Sequence, residues 1–426
     1  MRRSLAALAA LGAVVIATGC GSEPAPAPGE LTLLRADVAR LEPPSDAPVA
    51  ELVAGIATFG YNLAPADPTE NWVASPASIA YVLAMLRAGA AGATADEIDR
   101  AFSFPPRVHE AFNALSRQLV TAEVPPSTSD EPTRQPGAPA RPSIVCVGNA
   151  IFPAEGFPIE DSYLTTLAEQ YGTGVYPLDF HQSAAKDAID EWARRLTAGR
   201  IDRVFDQIDP DTAAVLANTV YFKGEWQTPF DETGTSEAPF HRSDGSTVSA
   251  PTMSDQMAIG YAEGPGWQAI EMPYGQDGDY AMRVLLPTGD LSPRDLLGPA
   301  VQGTAAFTTQ PVDVRLPRWD FAADLPLKDE LIRLGVASVF DEERADLSGI
   351  SVVSLYVSQA LHRANITVDE YGSEAAAVTA AAIAPTSARP EPPVSFHADR
   401  PFAFAIVHAA SGAPLFYGVV ADPTAA

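Results

Sequence analysis

Ser183-Ala184-Ala185-Lys186 has a spacing that enzymes use for covalent catalysis, because a lysine one helical turn after a serine can take its hydroxyl proton. A cell-wall-directed acyl enzyme of that kind also needs a Lys-Thr-Gly-type element near the carboxyl end, and this sequence has none. Two fixed positions in four also recur by chance. No G-x-S-x-G elbow, H-E-x-x-H, P-loop or G-x-G-x-x-G pattern occurs. The histidines, His109, His181, His241, His362, His397 and His408, have no paired metal-ligand spacing, so neither a metal nor another cofactor is expected. Asn365-Ile366-Thr367 is a glycosylation sequon.

Another stretch suggests that chemistry is done on this chain rather than by it. Ser373–Ala384 is dominated by alanine, which favours helix and is a poor strand former. A surface helix or a linker is one reading. The flanks point elsewhere: Ile366-Thr367-Val368 is β-branched and strand-like, and Gly372 permits an abrupt change of backbone direction. Pro385, Pro390, Pro392 and Pro393 block continuation of a helix. As a strand, Ser373, Ala375, Ala377, Thr379, Ala381 and Ile383 share one face and Glu374 lies on the other. Up to Ala381 none of the first set is large enough to jam a passage between two existing strands. A bulky or charged residue there would oppose entry, since burying an unpaired charge is costly. A strand of roughly fifteen residues spans on the order of 50 Å, enough to cross a domain.

The elements that must position this segment are mixed. Ala77–Ala90 has helical spacing, with Ile79, Val82, Leu83 and Leu86 on one face and Pro76 suited to a helix start. Thr94 followed by Glu97 predicts a capping box. Ala185–Leu196 and Leu325–Leu334 read as helices, and Ile144–Phe152, Ala214–Phe222, Tyr280–Leu286 and Val312–Leu316 as strands. Phe402–Val407 and Leu415–Val420 flank Ala410-Ser411-Gly412-Ala413, a hairpin signal. Helices crowd the first third and strands the last, which gives an α+β domain around one extensive sheet.

Arg2 and Arg3, the apolar run Leu5–Ala17 and Ala17-Thr18-Gly19-Cys20 describe an export signal, residues 1–19. A cysteine directly after the cut resembles a bacterial lipoprotein signal, which implies lipidation of Cys20 and a lipid anchor at the periplasmic or extracellular face of the envelope. Residues 20–47, rich in proline and alanine, read as a flexible tether to a domain at 48–423. Residues 123–142 read as a Pro-rich surface insertion. Cys146 lies in an apolar stretch and reads as a small buried hydrophobe. Net charge is −27, from 27 basic and 54 acidic residues. A surface this acidic repels nucleic acid and anionic headgroups, so no nucleic-acid partner is expected.

Four long blocks then resemble the serpin family in order and spacing. They are "NWVASPASIAYVLAMLRAGAAGATADEI" (71–98), "LANTVYFKGEWQTPFD" (216–231), "LKDELIRLGVASVFDEERADLSGIS" (327–351), and the stretch from His362 to Pro423. The resemblance covers nearly everything after the tether. It implies a monomeric serpin fold: a large central β-sheet with additional sheets, helices mostly in the amino-terminal part, and an exposed reactive-centre loop at 370–393. Reactive-loop insertion in serpins is an established case of strand addition. The implied function is suicide-type inhibition. A serine protease attacks the loop, forms its acyl-enzyme, and is carried across the domain by the inserting loop before water can release it.

The family's count from the hinge glutamate, applied from Glu370, puts the scissile bond between Thr386 and Ser387. Arg389 is the rival, but Pro390 follows it. Thr386 after Pro385 suits an elastase- or subtilisin-like protease. Hinge positions fall on Glu370, Gly372, Ser373, Glu374, Ala375, Ala376 and Ala377. The latch of the central sheet (the shutter) falls on Ser75, Ser78, Asn218 and His362, and the point of first loop entry (the breach) on Trp226. Ser373 stands where threonine is common, and Tyr371 precedes Gly372. Two other readings remain at this level: a noninhibitory serpin-fold surface binding protein, disfavoured by the small hinge residues, and an acyl enzyme built on Ser183 and Lys186.

Overall fold

The helices lie mostly before residue 197: α1 (Val49–Leu63), α2 (Pro76–Arg87), α3 (Gly92–Phe102), α4 (Val108–Leu119), α5 (Asp161–Thr166) and α6 (Ser183–Leu196), with the short α7 (Pro299–Gln302) and α8 (Leu327–Arg333) later. The computed structural model describes residues 31–66, 68–126, 138–303, 305–373 and 392–425. Cys20, Glu374, Ala375, Ala376, Ala377, Thr386 and Ser387 lie outside the described residues, as do the signal peptide and the middle of the 123–142 stretch.

Strands β1 (Trp72–Ala74), β2 (Ile144–Pro153), β3 (Ala214–Glu225), β4 (Ser236–His241), β5 (Thr247–Gly264), β6 (Trp267–Tyr274) and β7 (Tyr280–Pro287) are followed by β8 (Thr308–Pro317), β9 (Trp319–Pro326), β10 (Gln359–Asp369), β11 (Gly372–Ser373), β12 (Val394–His397), β13 (Phe402–His408) and β14 (Pro414–Val420). They form two sheets. One is nine-stranded, ordered β1-β14-β13-β7-β6-β5-β8-β12 with β4 paired to β5. The other is five-stranded, ordered β2-β3-β11-β10-β9, with β3 also paired directly to β10. The architecture is α+β, a large sheet with a second sheet and packed helices.

The five-stranded sheet is sandwiched. On its inner face runs α2, whose Ile79, Val82, Leu83 and Leu86 are buried. Ser75 caps that helix, its Oγ accepting the Ser78 N–H at 3.3 Å, and Pro76 occupies the first turn where no N–H is needed. On the outer face α6 lays Ile189 and Trp192 against Phe152, Val215 and Ala217. The approach is close enough to require glycine at 148, where a Cβ would meet Thr219 Oγ1 at 2.4 Å and Leu196 Cδ1 at 2.7 Å. Covered on both sides, β3 is buried along its whole length. By contrast β10 alternates: His362, Ala364, Ile366 and Val368 are buried, and the residues between them are half-exposed.

Two sequence expectations are corrected. Residues 31–47 are not a free tether. Leu34 pairs with Val175 in both directions, at 2.8 and 3.0 Å, and the Leu41 N–H donates to the Glu169 carbonyl. Arg40 Nη2 reaches Ser116 Oγ at 2.7 Å, and Asn113 Nδ2 donates to the Leu41 carbonyl. The stretch lacks apolar periodicity because it is held by backbone pairing and by Arg40, Arg107 and Arg117 rather than by an amphipathic face. Nor do Thr94 and Glu97 form a capping box. The helix starts at Gly92, and both side chains reach across to a distant segment instead. Thr94 Oγ1 accepts the Asp346 N–H at 3.0 Å, and Glu97 accepts the N–H groups of Ala337 and Ser338 at 2.8 and 2.7 Å. The side chains are thereby used to satisfy backbone N–H groups in a partly buried contact between distant segments.

Candidate functional site

The hinge begins where β10 ends. Asp369 Oδ1 accepts the N–H of Tyr371 at 2.8 Å and of Gly372 at 3.2 Å, which turns the chain back on itself. Burial raises the Asp369 carboxyl above the usual range. Gly372 then adopts φ 150° with the Gly224 carbonyl oxygen 2.0 Å from where a Cβ would sit, so no other residue fits. The result is β11, antiparallel to both neighbours: Gly372 pairs with Glu225 and Asp369, Ser373 with Gly224 and Val368. Below it, β3 and β10 pair directly and in parallel, from Val215↔Gln359 to Thr219↔Arg363. The first two residues after the turn therefore lie between β3 and β10, as members of the sheet.

Side chains fix that placement. Ser373 is fully buried, with its Oγ 2.7 Å from the Tyr274 hydroxyl. Tyr274 stacks on Trp226 at 4.3 Å between centroids, nearly parallel. Trp226 holds the turn from outside the strand: its N–H donates to the Tyr371 carbonyl at 2.8 Å and its Nε1–H to the Asp369 carbonyl at 2.9 Å. Glu370 is 1% exposed, and its carboxylate accepts from Arg318 Nε at 2.8 Å and Nη2 at 2.5 Å and from Thr235 Oγ1. At the top of β3, Glu225 accepts from Arg141 Nε and the Arg141 N–H.

A second cluster lies below the hinge, on the inner face. His362 on β10 accepts the Ser75 N–H at its Nε2, 3.0 Å away, which leaves Nδ1–H to donate to Asn218 Oδ1 on β3 at 2.5 Å. Asn218 Nδ2 donates to the Ser78 carbonyl at 2.8 Å, to Ser78 Oγ at 2.6 Å and to Asn149 Oδ1 on β2. One network thus ties β2, β3, β10 and the start of α2. The structure brings Ser75, Ser78, Asn218 and His362 together, and Trp226 with Glu370, Gly372 and Ser373.

Asn149, Tyr274, Arg318 and Thr235 were missed by sequence reasoning. Asn149 is the cross-strand partner of Asn218 and was in principle readable from the β2–β3 register. Nothing local marks Arg318, 52 residues from its partner.

Burial drives the His362 pKa down to about 3 from an ordinary 6.5, so the ring is neutral in the folded protein at neutral pH. The unfolded chain takes up a proton near pH 6.5 and the folded one does not until about pH 3. Stability is therefore fully present above that window and falls with acidification through it, by about 1.4 kcal/mol per pH unit for one such group. Urea unfolding between pH 7.5 and 5 should report this slope, and His362→Gln should flatten it. A slope unchanged in that variant contradicts the assignment.

Ser183 sits exposed on the first turn of α6, and the Lys186 ammonium is held by Asp190 Oδ2 at 2.6 Å rather than by the serine. Cys146 is buried and unpaired, its thiol pushed up to about 12 by burial.

The serpin (serine protease inhibitor) family model matches residues 57–423. Serpin A3-1 of Bos taurus is 32% identical over 380 residues, covering 85% of this chain and 86% of the relative. The leukocyte elastase inhibitor of Equus caballus is 31% identical over 378 residues, 84% of this chain and 94% of the relative. Among solved structures, the thermophilic serpin tengpin in its native state superposes with a TM-score of 0.78 at 24% identity, covering 92% of this chain and 100% of that one. With the family model spanning the hinge, both clusters and both sheets, the chain belongs to the serpin family.

Proposed function

We propose that this chain is a suicide-type inhibitor of serine proteases, and that β11 is the leading end of the strand that captures them. The observation that carries this reading is the position of Gly372 and Ser373 between β3 and β10. An inserted strand that continued their register would have Glu374 between Lys223 and Thr367, Val378 between Thr219 and Arg363, and Thr379 between Asn218 and His362. By strand parity Thr379 would then share the face of Ser373 and meet the buried network, with Glu374 on the opposite face. The nucleophile and general base belong to the target protease. This chain supplies the substrate bond, Thr386–Ser387, and the strand.

Relatives named as inhibitors of leukocyte elastase support a protease of elastase- or subtilisin-like preference, in keeping with a small β-branched Thr386 after Pro385. Incubation with elastase and subtilisin should give a complex that survives denaturing electrophoresis, and a released peptide that begins at Ser387. A peptide beginning at Pro390 would move the bond to Arg389. Clean cleavage or no reaction across a broad protease panel would favour a noninhibitory surface protein. The reading extends to a monomer held at the cell envelope by lipid on Cys20. Labelling with a radioactive fatty acid, lost in Cys20→Ser, tests that part.

A further inference from the structure

On the outer face of the five-stranded sheet, opposite the His362 network, three arginines are among the residues lining one cavity of about 310 Å³. Arg200 and Arg203 come from the connection between α6 and β3, and Arg363 comes from β10. Arg363 projects outward because its neighbours His362 and Ala364 project inward. Its Nη2 pairs with Asp324 Oδ2 at 3.0 Å, yet its Nε is buried without a hydrogen-bond partner. Such a donor carries the desolvation cost of an unmade bond. Thr219, the register partner of Arg363 on β3, has an Oγ1 that is likewise buried without a partner. Arg203 pairs with Asp206 at 3.3 Å at the surface, where the interaction is weak. Asp202 and Asp324 also line the cavity, so a monovalent anion gains little there. A divalent oxyanion with several acceptor oxygens matches forked arginine donors better.

We propose that this cavity binds a small oxyanion of the phosphate or sulfate type, free or as the end of a monoester, and that the bound anion ties the α6–β3 connection to β10. The second half rests on the inhibitor reading above. Thr219 and Arg363 are the last residues of β3 and β10 that pair directly. A strand inserted between them moves them apart by about one strand spacing, ~4.8 Å. An anion held jointly by Arg200, Arg203 and Arg363 must release one side before this happens. Occupancy therefore slows insertion and gives the trapped protease more time to hydrolyse its way out.

The test uses the intact, uncleaved protein, with calorimetric titration of sodium phosphate, sodium sulfate and glycerol phosphate against sodium chloride at matched ionic strength. Saturable binding is expected for the divalent anions and not for chloride. It should weaken about tenfold or more in Arg363→Gln, the worth of one charge-assisted hydrogen bond, and also in Arg203→Gln, whose exposed side chain leaves the fold intact. Tighter binding of glycerol phosphate than of phosphate would assign a monoester as the natural form. No saturable binding, or binding unchanged in both variants, overturns the site. Separately, the stoichiometry of inhibition should rise with saturating phosphate in the parent protein and not in Arg203→Gln. An unchanged stoichiometry overturns the tie while leaving the site. Failure to form any covalent complex rejects the inhibitor reading and leaves the titration to be judged alone.

Discussion

On the proposed inhibitor reading, Ser373→Arg is expected to turn the protein into a substrate, with the stoichiometry of inhibition rising about tenfold or more. The serine is fully buried between β3 and β10, its hydroxyl on Tyr274 and Tyr274 stacked on Trp226. The neutral Tyr274 hydroxyl beside it does not offset the charge of a guanidinium, and an unpaired buried charge costs several kcal/mol. Each ~1.4 kcal/mol added to the barrier for entry slows insertion tenfold, while hydrolysis of the acyl-enzyme by the protease proceeds at its own rate. The branch that loses is trapping. Two measurements separate this from misfolding. Thermal unfolding of the uncleaved variant should change little, because β11 has only two residues and can leave the sheet. Cleavage at the proposed bond, Thr386–Ser387, should remain as fast as in the parent. Undiminished covalent complex at unchanged stoichiometry would remove Ser373 from the entry path.

The same residue marks how far the sequence could be read. Its neighbours alone could not place it: alanine-rich sequence after Gly372 favours helix by propensity, and the flanks, side-chain size, parity and the serpin resemblance suggested an insertable strand. Parity was legible because a strand has period 2, and the inward face of Ser373 agrees with it. Strands β3, β7, β13 and β14 were legible as apolar runs because both of their faces are covered. The partners were not legible. Arg318 meets Glu370, and Thr94 meets Ser338 and Asp346, through contacts between segments far apart in the chain. Thr94 and Glu97 looked like a local cap because the local pattern is identical. The competition was decided by backbone donors more than two hundred residues away. Residues 31–47 deceived for a related reason, since an isolated backbone bridge leaves no mark in composition.

The second large effect is expected at His362→Ala, and it should appear in two states of the molecule. In the uncleaved protein the histidine satisfies the Ser75 N–H and the Asn218 carbonyl oxygen at once. Alanine leaves both unpaired in the core, at about 1–3 kcal/mol each, and adds a cavity. The midpoint of urea unfolding should fall accordingly. If the proposed insertion continues the register of β11 after cleavage, Thr379 would come between Asn218 and His362. Its hydroxyl would then accept from His362 Nδ1 and donate to Asn218 Oδ1, and on this proposal the network is re-formed around the inserted strand rather than lost. His362→Ala therefore weakens the closed and the inserted sheet alike, and raises the stoichiometry of inhibition without abolishing complex formation. Thr379→Val separates the two states. Nearly equal in volume but without the hydroxyl, it should leave unfolding of the uncleaved protein unchanged and lower the stability of the cleaved form by about 1–3 kcal/mol, the cost of buried groups left unsatisfied. If the cleaved Thr379→Val protein is as stable as the cleaved parent, the strand does not enter in the register that Gly372 and Ser373 set, and the path of insertion must be redrawn.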